Sequence, residues 1–297
     1  MGKKVFSFLK LAPLVSAATA LIISLSGCGG LSSALSGGVT ISGRASLAPV
    51  DGGTVKVACI EADGSVSSDP LGSTVTDSEG DFEIKLDEKP SCAVQASITG
   101  GSYFEEAGGL LVSLVGKEIR VVVSSFDEDK ETLALTPLTE VSAQRFFELA
   151  VQFDGVMDAS QWGDKAEAAN ALVSAAAGFP VGMDIGRTRP ADSLHPDANP
   201  NSYANMYALF NAAISEAAYQ RNLLDGGNRS SFEMVSGPGS FGDDFKDGSF
   251  GALSGWSGMD DHMIAWQGSG RNEGNFVMPT NGMMGPPTSN PEVVAAL

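Results

Sequence analysis

The sequence predicts an α+β protein in which an antiparallel β-sandwich precedes a small α-helical domain. Residues 39–134 contain short stretches of alternating apolar and polar residues separated by turn residues, which is typical of such a sandwich. In residues 135–228 the apolar residues instead recur with the period of a helix. Residues 229–297 are rich in Gly, Asp and Met, and we expect loops with short helices there.

The composition favours a folded, acidic protein. Hydrophobic residues make up 43% and charged residues 18% of the 297 positions, which is enough for a packed core. The formal net charge of −18 repels phosphate backbones, so we expect no nucleic-acid partner. Zinc needs three or four ligands, and the chain has only His195 and His262, without paired spacing.

Residues 1–27 have the pattern of a bacterial export signal. Lys3 and Lys4 precede an apolar run at residues 11–25, and small residues follow it. A membrane-spanning helix needs about 20 apolar residues. This run is shorter and contains Pro13, so we expect a signal peptide rather than a span.

The end of this segment, Leu25-Ser26-Gly27-Cys28, resembles the lipobox of bacterial lipoproteins. The resemblance implies that Cys28 carries a diacylglyceryl group, becomes the N-terminus after cleavage and anchors the protein in a membrane. Gly29 stands where an aspartate would favour the inner membrane, so the resemblance implies the outer membrane. After Cys28, the rest of residues 28–38 has the composition of a flexible tether. The alternative is an ordinary secretory signal followed by an unmodified thiol.

The other two cysteines form a candidate disulfide. Residues 54–61 alternate so that Cys59 falls on the apolar face of a strand, and residues 91–101 place Cys92 in the same way. If Cys28 is lipidated, these two are the remaining pair. In an oxidising compartment a bridge between them would stabilise the fold by about 3–4 kcal/mol. The alternative is two buried thiols.

Further strands are predicted on both sides of Cys92. Residues 73–86 predict two strands joined by a polar turn at Asp77-Ser78-Glu79-Gly80. Apolar runs at residues 110–115 and 119–123 predict the last strands of the sandwich.

Three motifs resemble the carboxypeptidase regulatory-like domain, a transthyretin-like β-sandwich found on secreted bacterial proteins. They are Ile41-Ser42-Gly43, the run at residues 53–57, and residues 76–82, which match the family's T-D-x-x-G-x-F hairpin. The resemblance implies a transthyretin-like fold and an extracytoplasmic setting, without an activity. The order of signal, cysteine, sandwich and helices also resembles that of bacterial surface lipoproteins.

The helical period begins at Thr136, a good N-cap residue, followed by Pro137 at the first helical position. A second helix is predicted from Asp164 to Ala177. A third is predicted from near Asn199-Pro200 to the Asp-Gly-Gly stretch at residues 225–227. Their aromatic and methionine stripes are expected to form core.

Two motifs suggest chemistry that their surroundings do not support. Gly237, Gly239 and Gly242 form a literal G-x-G-x-x-G, but Pro238 lies inside it and acidic residues follow it, so we expect a loop rather than a dinucleotide site. Ser257 lies in a partial G-x-S-x-G whose second glycine is Met259, and the nearby Asp261 and His262 would be its partners in a serine hydrolase. Triad members do not usually lie within five residues of one another, and no parallel-sheet scaffold is predicted.

Calcium is the most credible ion, because it binds several loop oxygens. Asp243, Asp244 and Asp247 provide carboxylates beside Gly248, although this stretch departs from the EF-hand pattern. The alternative is a solvated acidic surface, and no other cofactor is expected.

The sequence therefore predicts a non-catalytic, lipid-anchored protein of the bacterial envelope with a structural, adhesive or interaction role. One alternative is a surface protein that binds carbohydrate or peptide, assisted by Ca²⁺ at Asp243, Asp244 and Asp247. A second alternative is a secreted hydrolase that uses Ser257.

Overall fold

The computed structural model describes residues 37–153, 155–199, 201–248 and 259–268, and confirms α+β content. The strands are β1 Val39–Ala45, β2 Thr54–Cys59, β3 Gly72–Val75, β4 Asp81–Leu86, β5 Val94–Thr99, β6 Ser102–Phe104, β7 Leu111–Ser113, β8 Glu118–Val123 and β9 Lys130–Leu135. The helices are α1 Pro137–Gln152, α2 Ala159–Ala176, α3 Tyr203–Asp225, α4 Ser231–Val235, α5 Phe241–Asp244 and α6 Met259–Gly268, with a 3₁₀ turn at Phe245–Asp247. Within these ranges no helix has both the length and the apolar run needed to cross a bilayer.

The strands form three sheets. One contains β4, β1 and β9 in that order, the second contains β3, β2, β5 and β8, and the third is the β6–β7 hairpin. The pairs within them are antiparallel except β1 and β9, which are parallel. After β8 the chain leaves the four-stranded sheet and enters the three-stranded sheet. There β9 lies beside β1 and runs in the same direction as β1, which gives the parallel pair.

The predicted strands at residues 73–86 are present, but they are not paired with each other. β3 pairs with β2 and β4 pairs with β1, so the turn between them carries the chain from one sheet to the other. The Asp77 carboxylate accepts hydrogen bonds from the amides of Glu79 and Asp81, as a polar turn requires. The buried Thr76 hydroxyl donates to the carbonyl of Val50, which fixes the crossing point.

The core is continuous from the strands into the helices. Ile41 and Ile84 of the three-stranded sheet belong to the same buried cluster as Val57 of the four-stranded sheet. That cluster continues into α1 and α3, where Leu138 and Phe210 are fully buried. The chain changes from β9 to α1 at residues 135–137, and the segments on the two sides of this change share the cluster.

The other face of the four-stranded sheet is covered by α1 and α2. Ala93 and Val122 on this face pack with Phe146 of α1 and Trp162 of α2 in a second buried cluster. Residues 94–98 of β5 are therefore buried on both faces, including the polar residues Gln95 and Ser97, and only Thr99 at the end of the strand is exposed. The alternation seen in its sequence does not correspond to a solvated face.

Helix α1 begins as the sequence predicts. Thr136 is its N-cap, with a capping box to Thr139, and Pro137 occupies the first turn. Helix α2 begins five residues before the predicted Asp164, because Asp158 and Gln161 form a capping box there. The predicted third helix is present as α3.

A buried ion pair joins α1 to the sheet. Glu140 on α1 is 1% exposed, and its carboxylate accepts hydrogen bonds from Nε, Nη2 and the backbone amide of Arg120 on β8. Removing one member of such a pair leaves the other charge buried without compensation.

We predict that Arg120→Met lowers the free energy of unfolding by about 3 kcal/mol, because it leaves the Glu140 carboxylate buried without its guanidinium. Lys85→Met is the control, since Lys85 and its partner Glu83 are both largely exposed, and its effect should stay below about 1 kcal/mol. Urea unfolding measures both variants. Equal effects would contradict the structural role given to the buried pair.

Candidate functional site

The sequence-predicted site residues fall in different parts of the chain. Cys28, the signal segment and Ser257 lie outside the described residues. Cys59 and Cys92 are joined by a disulfide, with their Cα atoms 5.6 Å apart. Both cysteines are half-buried, so the bridge lies at the margin of the core.

The three aspartates proposed for calcium lie in α5 and the turn that follows it. The Asp243 carboxylate accepts hydrogen bonds from Lys246 Nζ at 2.9 Å and from the amide of Gly239 at 2.8 Å. These two contacts lower the pKa of Asp243, the amide of Gly239 having the larger effect. Within the described ranges no group of three or more Asp, Glu, His or Cys side chains is arranged to hold a metal ion.

The remaining sequence motifs do not come together as a site. His195 is exposed and pairs with Asp192 three residues before it, and His262 lies on α6. Gly237 and Gly239 lie in the turn that leads into α5, whose four residues start at Phe241.

A concave site that the sequence did not predict lies beside the disulfide. It is a cavity of about 320 Å³ between the β2–β3 connection and the start of α2. Its lining consists of apolar and sulfur-bearing residues together with polar ones: Cys59, Ile60, Glu61, Ala62, Ser67, Asp69, Leu71, Cys92, Met157, Asp158, Ala159 and Trp162. This volume is at the lower end of the range for pockets that take small ligands.

Two hydrogen bonds to one backbone carbonyl attach the two walls of the cavity to each other. The carbonyl of Ala62 accepts from the amide of Met157 at 2.9 Å and from Nε1 of Trp162 at 3.1 Å. The indole ring of Trp162 is 1% exposed and makes edge-to-face contacts with Phe146 and Phe153. The wall formed by α2 is therefore held in place by the second buried cluster.

Gly64 allows the connection between β2 and β3 to lie against Trp162. It has a φ of 82°, in the left-handed region that favours glycine. A Cβ atom at this position would lie 2.8 Å from the Cβ of Ala150 and 2.8 Å from the ring of Trp162. The connection between β2 and β3 can approach α1 and α2 because this residue has no side chain.

The rim of the cavity is acidic. Glu61, Asp69 and Asp158 are all exposed, and no lysine, arginine or histidine of the described ranges lies within ion-pair distance of their carboxylates. Asp158 also caps α2, and its hydrogen bonds from the amide of Gln161 and the hydroxyl of Ser160 lower its pKa. The cavity thus combines apolar walls with negative charge at its opening.

The β6–β7 hairpin is a second exposed feature. Phe104 and Leu111 are opposite each other in its register and are 65% and 63% exposed. On the other face Tyr103 is buried. Large apolar side chains placed side by side on a solvent face are typical of contact surfaces.

Two adjacent carboxylates hold the tip of this hairpin. Glu105 is 3% exposed and accepts hydrogen bonds from the hydroxyls of Ser215 on α3 and Ser231 on α4. Glu106 accepts from the hydroxyl of Ser193, and its Oε2 is buried without a hydrogen-bond partner in the described ranges. Burial raises the pKa of Glu106 to about 8, with Glu105 and Asp192 adding to the effect and Ser193 opposing it.

The lining of the cavity carries no local sequence signal. Its residues come from two segments about 90 positions apart in the chain, residues 59–71 and 157–162, with Cys92 between them. The capping-box pair Asp158 and Gln161 is the one pattern that predicts where α2 starts and hence where one wall stands.

Comparison with known proteins adds little to this description. No model of a known protein family matches the chain, and no curated protein matches it. A crystal structure of a 9R-lipoxygenase from Cyanothece PCC8801 matches 50% of this chain and 27% of that chain, with 15% sequence identity and a TM-score of 0.23. A similarity at this level carries no argument about fold or function.

We predict that Gly64→Ala is more destabilising than Gly182→Ala. Both glycines have a positive φ, 82° and 89°, but a Cβ at Gly182 meets no atom within 4 Å. The difference between the two free energies of unfolding isolates the contact with Ala150 and Trp162 and should reach about 1–3 kcal/mol. Equal values would show that the cavity walls can separate without cost.

We predict that Glu106 makes the protein less stable as the pH rises. Its pKa is about 8 in the folded protein against an ordinary value of 4.5, so the stabilising protonated form is fully present below 4.5 and is lost as the pH rises through 8. Urea unfolding across this window should show a fall that Glu106→Gln reduces. The exposed Glu88→Gln is the control and should keep the wild-type slope, and the same slope in all three proteins would contradict the prediction.

Proposed function

We propose that this protein is a non-catalytic lipoprotein of the bacterial cell envelope whose folded part binds a partner. The observation that carries the proposal is the disulfide between Cys59 and Cys92. Such bonds persist in oxidising compartments and are rare in the cytosol. The bond therefore supports export, and the signal pattern of residues 1–27 supplies the route.

The anchor of this proposal is Cys28. Its lipobox-like context supports acylation, and more than one acyl chain is needed for stable attachment. The composition of residues 29–38 supports the tether that the sequence predicts, and Gly29 supports the outer membrane.

We also propose that the two larger sheets form a transthyretin-like sandwich of the carboxypeptidase regulatory-like type. Their inward residues share one buried cluster, which supports a two-layer arrangement. Ile41-Ser42-Gly43 lies on β1, and residues 76–82 comprise the turn between the two sheets and the first two residues of β4. The parallel β1–β9 pair is an addition to a purely antiparallel sandwich.

The partner-binding role is supported by two exposed features. The acidic cavity beside the disulfide is concave and has walls held by hydrogen bonds, and the hairpin carries Phe104 and Leu111 in solvent. Of the alternative functions, the cavity favours a surface protein that binds a peptide. The aspartates at residues 243–247 add no support to a calcium-assisted version.

Metabolic labelling with a palmitate analogue tests the anchor. Wild-type protein made in a bacterium should take up the label and sediment with membranes, and Cys28→Ser should take up none. Ser33→Ala, which changes the tether but keeps the thiol, is the control and should be labelled like the wild type. Label retained in Cys28→Ser, or absent from the wild type, would contradict the proposal.

A further inference from the structure

The cavity beside the disulfide has the chemistry of a site for a positively charged side chain. Its walls include Leu71, which is 40% exposed, and Met157, which is half-buried, together with the disulfide. These groups can cover the methylene stem of a long side chain. Burying the stem is favourable, because exposing its apolar surface to water costs free energy. An entirely polar ligand would leave them uncovered.

The charged groups at the opening are hydrogen-bond acceptors. Glu61 and Asp69 each present a carboxylate, and no cation of the described ranges is paired with either. Among the neutral polar groups of the lining, the Ser67 hydroxyl can donate or accept, and Nε1 of Trp162 already donates to the carbonyl of Ala62. A ligand therefore has to bring the positive charge, together with donors for the two carboxylates.

The start of α2 does not reverse this preference. The N-terminus of a helix attracts anions. Asp158 caps this one and puts a carboxylate, with a lowered pKa, where an anion would bind. A phosphate or carboxylate ligand would meet three acidic side chains at the rim.

The size of the cavity limits what can enter it. A volume of about 320 Å³ holds one long side chain and part of its neighbour, but no folded element. The guanidinium of arginine matches two carboxylates better than an ammonium does, since its planar fork presents five donors. The net charge of −18 attracts a basic chain toward the surface.

We propose that this cavity binds an arginine, together with an adjacent apolar residue, from an extended basic segment of a partner protein. The inference rests on the proposed function, since it gives the chemistry of the partner. The arginine head meets Glu61 and Asp69 at the opening, and its stem and the apolar neighbour lie against Leu71, Met157 and the disulfide. Binding weakens as salt is added, because the carboxylates are exposed.

Isothermal titration of the mature, disulfide-bonded protein with the peptide acetyl-Gly-Leu-Arg-Leu-Gly-amide tests this at low ionic strength. We expect this arginine peptide to bind about tenfold more tightly than the same peptide with citrulline in place of arginine. The same peptide with glutamate in place of arginine should not bind. Equal affinity for the three peptides, or no binding of the arginine peptide, would overturn the proposal. So would equal affinity for argininamide alone, which would make the ligand a small organic cation.

Variants locate the binding in the cavity. The double variant Glu61→Gln/Asp69→Asn should lose about tenfold in affinity for the arginine peptide, and Leu71→Ala should lose affinity at unchanged charge. Asp87→Asn/Glu88→Gln removes two exposed carboxylates that do not line the cavity and should bind like the wild type. Equal losses of affinity in the two double variants would show that net charge causes the effect, and would overturn the proposal that the cavity is the binding site. Acylation of Cys28 is measured separately, so a failure here leaves the anchor proposal standing.

Discussion

The disulfide between Cys59 and Cys92 is the constraint on which the arrangement around the cavity depends. Cys59 ends β2, and Cys92 lies just before β5, the neighbouring strand in the same sheet. The connection that forms one wall of the cavity starts at Cys59. In the chain-entropy description a bridge across this loop contributes about 3–4 kcal/mol, a large fraction of the 5–15 kcal/mol typical of whole domains. The compartment in which the protein folds therefore bears directly on its stability.

Helices α1 and α2 pack against the same sheet that the disulfide crosslinks. They cover the face of the four-stranded sheet that a free-standing sandwich would leave in solvent, and they bury Phe146 and Trp162 against it. The Glu140–Arg120 pair supplies the charged contact within this apolar layer. The strands and helices consequently share two buried clusters, and the cavity lies between the β2–β3 connection and the start of α2.

Local patterns in the sequence predicted the features that depend on neighbouring residues. Thr136 and Pro137 identified the start of α1, and the alternation around Cys59 and Cys92, with Cys28 set aside for lipidation, favoured a disulfide between them. Features that depend on distant residues had no such signal. The parallel pairing of β9 with β1 follows from a crossing between sheets. The start of α2, in contrast, has a local signal in the capping box of Asp158 and Gln161, which the prediction of a start at Asp164 missed. The cavity requires Gly64 to meet Trp162 across about 100 positions, and no periodicity shows that contact. The hydrogen bonds that hold Glu105 and Glu106 likewise come from serines on three other segments.

We propose an exported protein whose anchor, disulfide and binding site all depend on how its three cysteines are used. Intact-mass measurement of the protein isolated from the cell envelope, after treatment with a thiol-alkylating reagent, tests this most directly. The account predicts a chain that begins at residue 28, carries acyl chains there and takes up no alkyl group until it is reduced, when it takes up two. A chain without acyl groups, or one whose thiols at positions 59 and 92 are alkylated before reduction, would contradict it.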